Sequence, residues 1–363
     1  GVWIMAYTTI DDPSAHFHTQ LYTGTGSSQA VTNNANAGNF KPDWLWIKCR
    51  SDAASHKLFD SSRLDGSGNP QMVIQSNTNS AENDVGNADF TSIDTNGFTV
   101  LGANATGASS RTYVAWQWKA NGGTTTSFSE SGNNPAGAHQ ANTTAGFSIV
   151  TYTGTGANGT VAHGLGAKPN VMLQKKLGGA ASWVVYHDKV ASDPATDYLI
   201  LNETSANADY APHFNDTEPT STVFTVGTDG AVNGDGITNV MYCFTEKQGY
   251  SKFGSYTGNG NADGAFVYTG FKPAWLMVKK SAGNARAWVI HDNTQDPDNP
   301  TANRLDANTN EENQSSGHFD FLSNGFKCRS TEGATNQDTH TFVYMAFAEH
   351  PFVSSKGVPV TAR

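Results

Sequence analysis

The sequence predicts an all-β chain: three tandem antiparallel β-sandwich units of jelly-roll type, each of roughly 100 residues. Three observations carry this. Five landmarks recur three times in the same order along the 363 residues. The apolar stretches are short runs rich in Val, Ile, Tyr, Phe and Trp, set between Gly, Asn, Thr, Ser and Asp clusters. No stretch shows the periodicity of an amphipathic helix.

The first landmark is Tyr22-Thr23-Gly24-Thr25-Gly26, which returns as Tyr152-Thr153-Gly154-Thr155-Gly156 and Tyr256-Thr257-Gly258-Asn259-Gly260. A Lys-Pro pair follows (Lys41-Pro42, Lys168-Pro169, Lys272-Pro273), and six residues past each proline stands a lysine: Lys48, Lys175 and Lys279. Then come Leu58-Phe59-Asp60, residues 183–188 with His187-Asp188, and residues 288–292 with His291-Asp292. Each unit closes on an aromatic and Val-rich run, at 112–118, 238–244 and 341–347. The glycines suit turns that need positive φ, and the prolines suit a strand's first position, where no ladder donor is needed. Asn96-Gly97-Phe98 and Asn324-Gly325-Phe326 read as hairpin turns; the middle copy has Thr222-Val223-Phe224 and needs another turn type. The units are therefore 17–120, 146–248 and 249–363, after an N-terminal arm over 1–16. Residues 121–145, rich in Gly, Ser, Thr and Asn, read as a linker with room for a strand. Residues 244–250 leave almost none between the second and third units. Those two are expected to pack together, with the first freer in orientation and all three as separate domains.

Composition narrows the partners. A formal net charge of -10 with no run of Lys or Arg lacks the basic stripe of a nucleic-acid binder and argues against an anionic membrane surface. No apolar stretch approaches the roughly 20 residues of a membrane span. Cys49, Cys243 and Cys328 are odd in number and fall at non-equivalent places, so free thiols packed as small apolar residues are expected rather than a disulfide framework. Gly1-Val2-Trp3-Ile4 lacks the basic flank and long apolar run of a secretory signal, and Met5 reads as a natural start behind four extra residues.

The sequence offers few chemical groups. Neighbours on a strand point to opposite faces, so neither His187-Asp188 nor His291-Asp292 can bond internally as a catalytic dyad; the aspartates read as turn initiators. Glycoside hydrolysis needs two separated carboxylates, and the only close glutamates, Glu311-Glu312, are adjacent in a polar loop. No nucleophile elbow, phosphate loop or metalloprotease helix is present. Asp292, Asp296, Asp298 and Asn299, with Asp188, Asp193 and Asp197 in the middle copy, could offer oxygens to calcium. Prolines 194, 297 and 300 interrupt these loops, no calcium-loop consensus is met, and solvated turns are the expectation. Trp44, Trp46, Trp116, Trp118, Trp183, Trp275 and Trp288 are expected in the core rather than stacked on sugars, with only Trp3 outside a repeat. Lys48, Lys175 and Lys279 are expected to face solvent or guard a sheet edge.

Residues 6–15 with 112–119 resemble the start and first module of structural or tail-fibre-like proteins of marine tailed bacteriophages. Residues 145–156 with His163-Gly164-Leu165-Gly166 resemble their second module, and residues 250–260 through Ala348-Glu349-His350-Pro351-Phe352 the third. The resemblance implies a concanavalin-like β-sandwich and a place on the outer surface of the virion, and it transfers no catalytic residue. The expectation is a non-enzymatic virion surface protein of tail-fibre or spike type, with no catalytic, cofactor-binding or metal residues. It would bind other virion proteins and host-surface glycan through polar loops on rigid sandwiches, as a homo-oligomer with a trimer favoured. The alternative is a capsid decoration protein without receptor binding.

Overall fold

A computed structural model describes residues 6–86 and 88–359; the expectations for Trp3 and for a start at Met5 lie outside the described residues. Each unit lays four strands in one antiparallel sheet, in the order opening, closing, lysine-bearing and fourth. In the first unit these are Phe17–Thr23, Thr112–Trp118, Trp44–Cys49 and Lys57–Asp60. The second unit uses Phe147–Thr153, Thr238–Phe244, Val171–Lys176 and Val184–His187. The third uses Ser251–Thr257, Thr341–Pro351, Phe271–Lys280 and Trp288–Asp292. Trp44 pairs with Trp118 and Asp60, Val171 with Phe244 and His187, and Trp275 with Phe347 and Asp292. Residues 44–48, 171–175 and 275–279 thus hold one place in three sheets.

A second, smaller layer covers one face of each sheet. It is Gln29–Thr32 with the hairpin of Phe90–Asp94 and Gly97–Val100, then Gly159–Ala162 with Val223–Val226, then Phe266–Tyr268 with the hairpin of Phe319–Leu322 and Gly325–Cys328. Each pair of layers encloses a core, as where Leu45, Ile47, Phe59, Tyr113 and Ala115 meet Val31, Phe90, Phe98 and Val100. The architecture is all-β as predicted, and no helix among the described residues exceeds four residues.

Three local expectations change. Thr126–Phe128 and Ala136–Asn142, inside the supposed linker, form a hairpin that pairs along Phe147–Thr153 and extends the second sheet. Small residues permit this approach: a Cβ on Gly137 would stand 2.2 Å from the Thr151 carbonyl oxygen. Pro273 lies within a strand rather than at its start, where the ladder slips register and its missing donor goes unneeded. The middle copy, lacking the Asn-Gly turn, has the helical turn Ala211–Phe214 before Val223–Val226 in place of a hairpin.

The largest change concerns the other face of each main sheet. On the closing strand of the first unit, Tyr113 and Ala115 point into that unit's sandwich, while Val114, Trp116 and Trp118 point out of it. Those outward residues are buried too. They join Val240, Tyr242 and Phe244 of the second unit and Val343, Met345 and Phe347 of the third in one shared core. A strand buried on both faces reads as a continuous apolar run, which is why the landmark strands show little alternation. An apolar second face must be buried against something, and here three such faces bury one another. The units are therefore not separate, and the first is held like the other two.

Candidate functional site

The repeated polar landmarks lie at the seams between units. Lys48, Lys175 and Lys279 do not face solvent; all three are fully buried. Lys175 Nζ donates to the Asn79 carbonyl of the first unit at 3.1 Å, Lys279 Nζ to Thr204 of the second at 2.8 Å, and Lys48 Nζ to Asn310 of the third at 3.3 Å. The same carbonyls accept from Ala181, Arg286 and Ala54 N–H, and the return bonds run from Glu82, Asn207 and Asn313 N–H to Leu177, Ser281 and Arg50. The pattern is cyclic: unit one meets two, two meets three, three meets one. Burial without a carboxylate partner pushes the Lys48 and Lys175 ammonium groups down to about 8 and that of Lys279 to about 7.

A second cyclic set occupies the end of each fourth strand. The ladder aligns His187, not Asp188, with Asp60 and Asp292, a one-residue correction to the alignment of the His-Asp pairs. Asp60 Oδ2 accepts from the Tyr242 hydroxyl at 2.6 Å, and Asp292 Oδ2 from the Trp116 indole at 3.0 Å. The equivalent residue facing unit two is Met345, which has no such donor, and there His187 Nε2 meets the Tyr344 carbonyl at 3.1 Å. Burial depresses His187 to about 4, so the ring is neutral; Nδ1 accepts from Lys189 N–H, which leaves Nε2 as the donor. We expect His187→Asp to destabilise by about 1–3 kcal/mol by burying an unpaired acceptor. Adding Met345→Tyr should recover most of that loss by recreating the Asp60–Tyr242 pair. Urea midpoints of the two single variants and the double variant measure the coupling, and strict additivity would refute it.

The Tyr-Thr-Gly-Thr-Gly landmark is equally architectural. Tyr22, Tyr152 and Tyr256 hydroxyls donate to the Thr106, Val232 and Thr335 carbonyls at 2.6, 2.6 and 2.5 Å. A Cβ on Gly24 would lie 2.3 Å from the Ala108 carbonyl oxygen, so only glycine lets the two loops touch.

The remaining candidates are not gathered into a centre. His187 Nδ1 stands 3.9 Å from Asp188 Oδ1, too far for a hydrogen bond, and His291 packs edge-on against Phe319. Asp60 and Asp292 do initiate turns, through Ser62 and Arg63 N–H and through Thr294 and Gln295 N–H. Asp296 closes its own loop on Ala302 and Asn303 N–H, while Asp188 binds Asn170 and Asp197 binds Asn207. Among the described residues, no three His, Cys, Asp or Glu side chains come together for a metal ion. Glu311 and Glu312 line a shallow cleft with Asp52 where the third unit meets the first. The seven tryptophans from Trp44 to Trp288 and the three cysteines are buried, as expected.

One further cleft is built from residues that carry no repeat landmark. Where the arm, the second-to-third connection and the outer layer of the third unit meet, Tyr7, Glu246, Gln248, Ser251, Lys252, Tyr268, Thr269 and Gly270 enclose a cleft of about 330 Å³. The Tyr7 hydroxyl donates to the Gly270 carbonyl at 2.8 Å and lies 3.2 Å from that of Tyr268. Tyr268 is 53% exposed and Phe266, on the same strand face, 48%. By register the corresponding residues are Ala30 and Thr32 in the first unit and Thr160 and Ala162 in the second. Aligning the repeats at this strand exposes the signal: an aromatic pair that one copy has and two lack.

A family profile described as Domain of unknown function (DUF7483) matches residues 12–351. No curated protein and no solved structure matches the chain.

Proposed function

The chain belongs to the family described as Domain of unknown function (DUF7483), and since that description passes on no activity, we propose from its architecture that it is a non-catalytic adhesion protein on the outer surface of a bacteriophage particle. The observation that carries the reading is the division of labour among its polar groups. The repeated lysines, aspartates and tyrosines are consumed in seams and turns. What distinguishes one unit from the others is a solvent-open aromatic cleft. A rigid scaffold displaying a surface that its own repeats do not share suits binding rather than chemistry. The resemblance of its modules to phage structural proteins is what supports the proposed location.

On the particle the chain is proposed to form a homo-oligomer, favouring a trimer, so that weak sites gain avidity. Light scattering of purified protein should give three times the chain mass of 38.6 kDa. Antibody against the chain should label intact particles and slow their adsorption to host cells. Unchanged adsorption with antibody covering the head lattice would favour capsid decoration, and absence of label would reject both.

A further inference from the structure

We infer that the cleft of Tyr7 and Tyr268 is a carbohydrate site that takes a neutral hexopyranose unit of a surface polysaccharide, an inference that deepens the adhesion reading and rests on it. A sugar ring offers an apolar C–H face to an aromatic ring and a rim of hydroxyls to polar groups, and this cleft supplies both. Tyr268 presents its ring from an outer strand, and Phe266 extends the aromatic surface along the same face. Tyr7 is fixed by the Gly270 carbonyl and by Phe352, whose ring lies 6.4 Å away at 70°. Little ordering is then left for a ligand to impose.

The rim mixes donors and acceptors. Lys252 Nζ at 2.6 Å and Phe253 N–H at 3.3 Å both engage Glu246 Oε1, which leaves Oε2 to accept from a hydroxyl. The exposed Gln248 amide adds groups of both kinds, while the Ser251 oxygen accepts from Lys247 N–H and the Thr269 hydroxyl is spent on the Phe271 backbone. The Glu246–Lys252 pair cancels its own charge within a chain of net charge -10, so an uncharged ligand fits better than an anionic one. About 330 Å³ lies at the small end of the range for ligand clefts. The packing of the outer layer does not require the aromatic pair, since Ala30, Thr32, Thr160 and Ala162 serve at the same register.

The test is saturation-transfer NMR on the full chain with methyl β-glucopyranoside, methyl α-mannopyranoside, methyl β-galactopyranoside and, as the anionic comparison, methyl β-glucuronide. At least one neutral glycoside should receive saturation at its ring C–H protons. Tyr268→Ala should weaken its binding about tenfold, in line with the loss of one aromatic contact, while Tyr268→Phe keeps most of it. Tyr210→Ala removes an aromatic that is 43% exposed outside the cleft and should change nothing. Failure of every neutral glycoside, tighter binding of the glucuronide, or equal effects of Tyr268→Ala and Tyr210→Ala would overturn the site. Particles carrying Tyr268→Ala separate the two readings. Normal adsorption that antibody still blocks would refute this site and leave adhesion standing, whereas glycoside binding by a chain absent from the particle would do the reverse.

Discussion

Trp118→Ala is expected to destabilise the whole chain by about 3–5 kcal/mol, the upper range for removing a buried aromatic. Its ring lies within 6.5 Å, centre to centre, of five others: Phe17 and Trp44 from its own unit, Phe244 from the second, Trp275 and Phe347 from the third. The cavity would open where the three sheets converge and could not be filled by one of them moving alone. Trp118→Phe should cost less than about 1.5 kcal/mol. The indole N–H finds no acceptor in the core, and phenylalanine already stands at the equivalent positions 244 and 347. Urea unfolding followed by tryptophan fluorescence and far-ultraviolet circular dichroism should give one coincident transition in both variants. Two separated transitions would show that the units fold independently, contrary to a shared core.

Asp60→Ala should be comparably severe, at about 3–5 kcal/mol, because it breaks a buried ion pair by removing one partner. Asp60 Oδ2 accepts from Arg63 Nε at 2.6 Å as well as from the Tyr242 hydroxyl, and its Oδ1 closes the following turn. Arg63 also reaches Glu82 at 2.6 Å, whose N–H bonds across the seam to Leu177. Removing the carboxylate leaves Arg63 to Glu82 and the Leu58 carbonyl, deprives Tyr242 of its acceptor and loosens a loop that bonds to the second unit. Asp60→Asn keeps one acceptor oxygen, enough for the turn, and should lose less. Leu64→Ser, four residues on at a side chain 49% exposed, should shift the thermal midpoint little. An Asp60→Ala midpoint within error of that control would refute the buried network.

The strands were legible because short β-branched and aromatic runs between turn formers allow little else, and the repeats because their landmarks coincide in order. The shared core leaves its mark in continuous apolar runs, which the repeat landmarks alone do not single out. Trp44-Leu45-Trp46-Ile47 and Val114-Ala115-Trp116 are apolar at successive positions, the mark of a sheet covered on both faces. A lone lysine in a strand usually guards an edge, whereas Lys48 donates to the carbonyl of its neighbour Cys49 and to that of Asn310, 262 residues away, which no side-chain pattern announces. His187 misled through its neighbour, since a His-Asp pair draws attention to chemistry when the ladder uses only the histidine. The aromatic cleft was hidden because Tyr7 belongs to the arm and Glu246 to a connection, and neither sits on a repeat landmark.

The cyclic arrangement also bears on chain entropy. The seam bonds of Lys279 and Lys175 span 75 and 96 residues, and that of Lys48 spans 262. Loop-closure entropy grows only with the logarithm of length, so joining the third unit to the first costs about 1 kcal/mol more than joining neighbours. Against that small increment stands an entire additional seam of buried aromatic surface and hydrogen bonds. Three sheets in an open row would leave two apolar faces in water; bending the row until its ends meet leaves none.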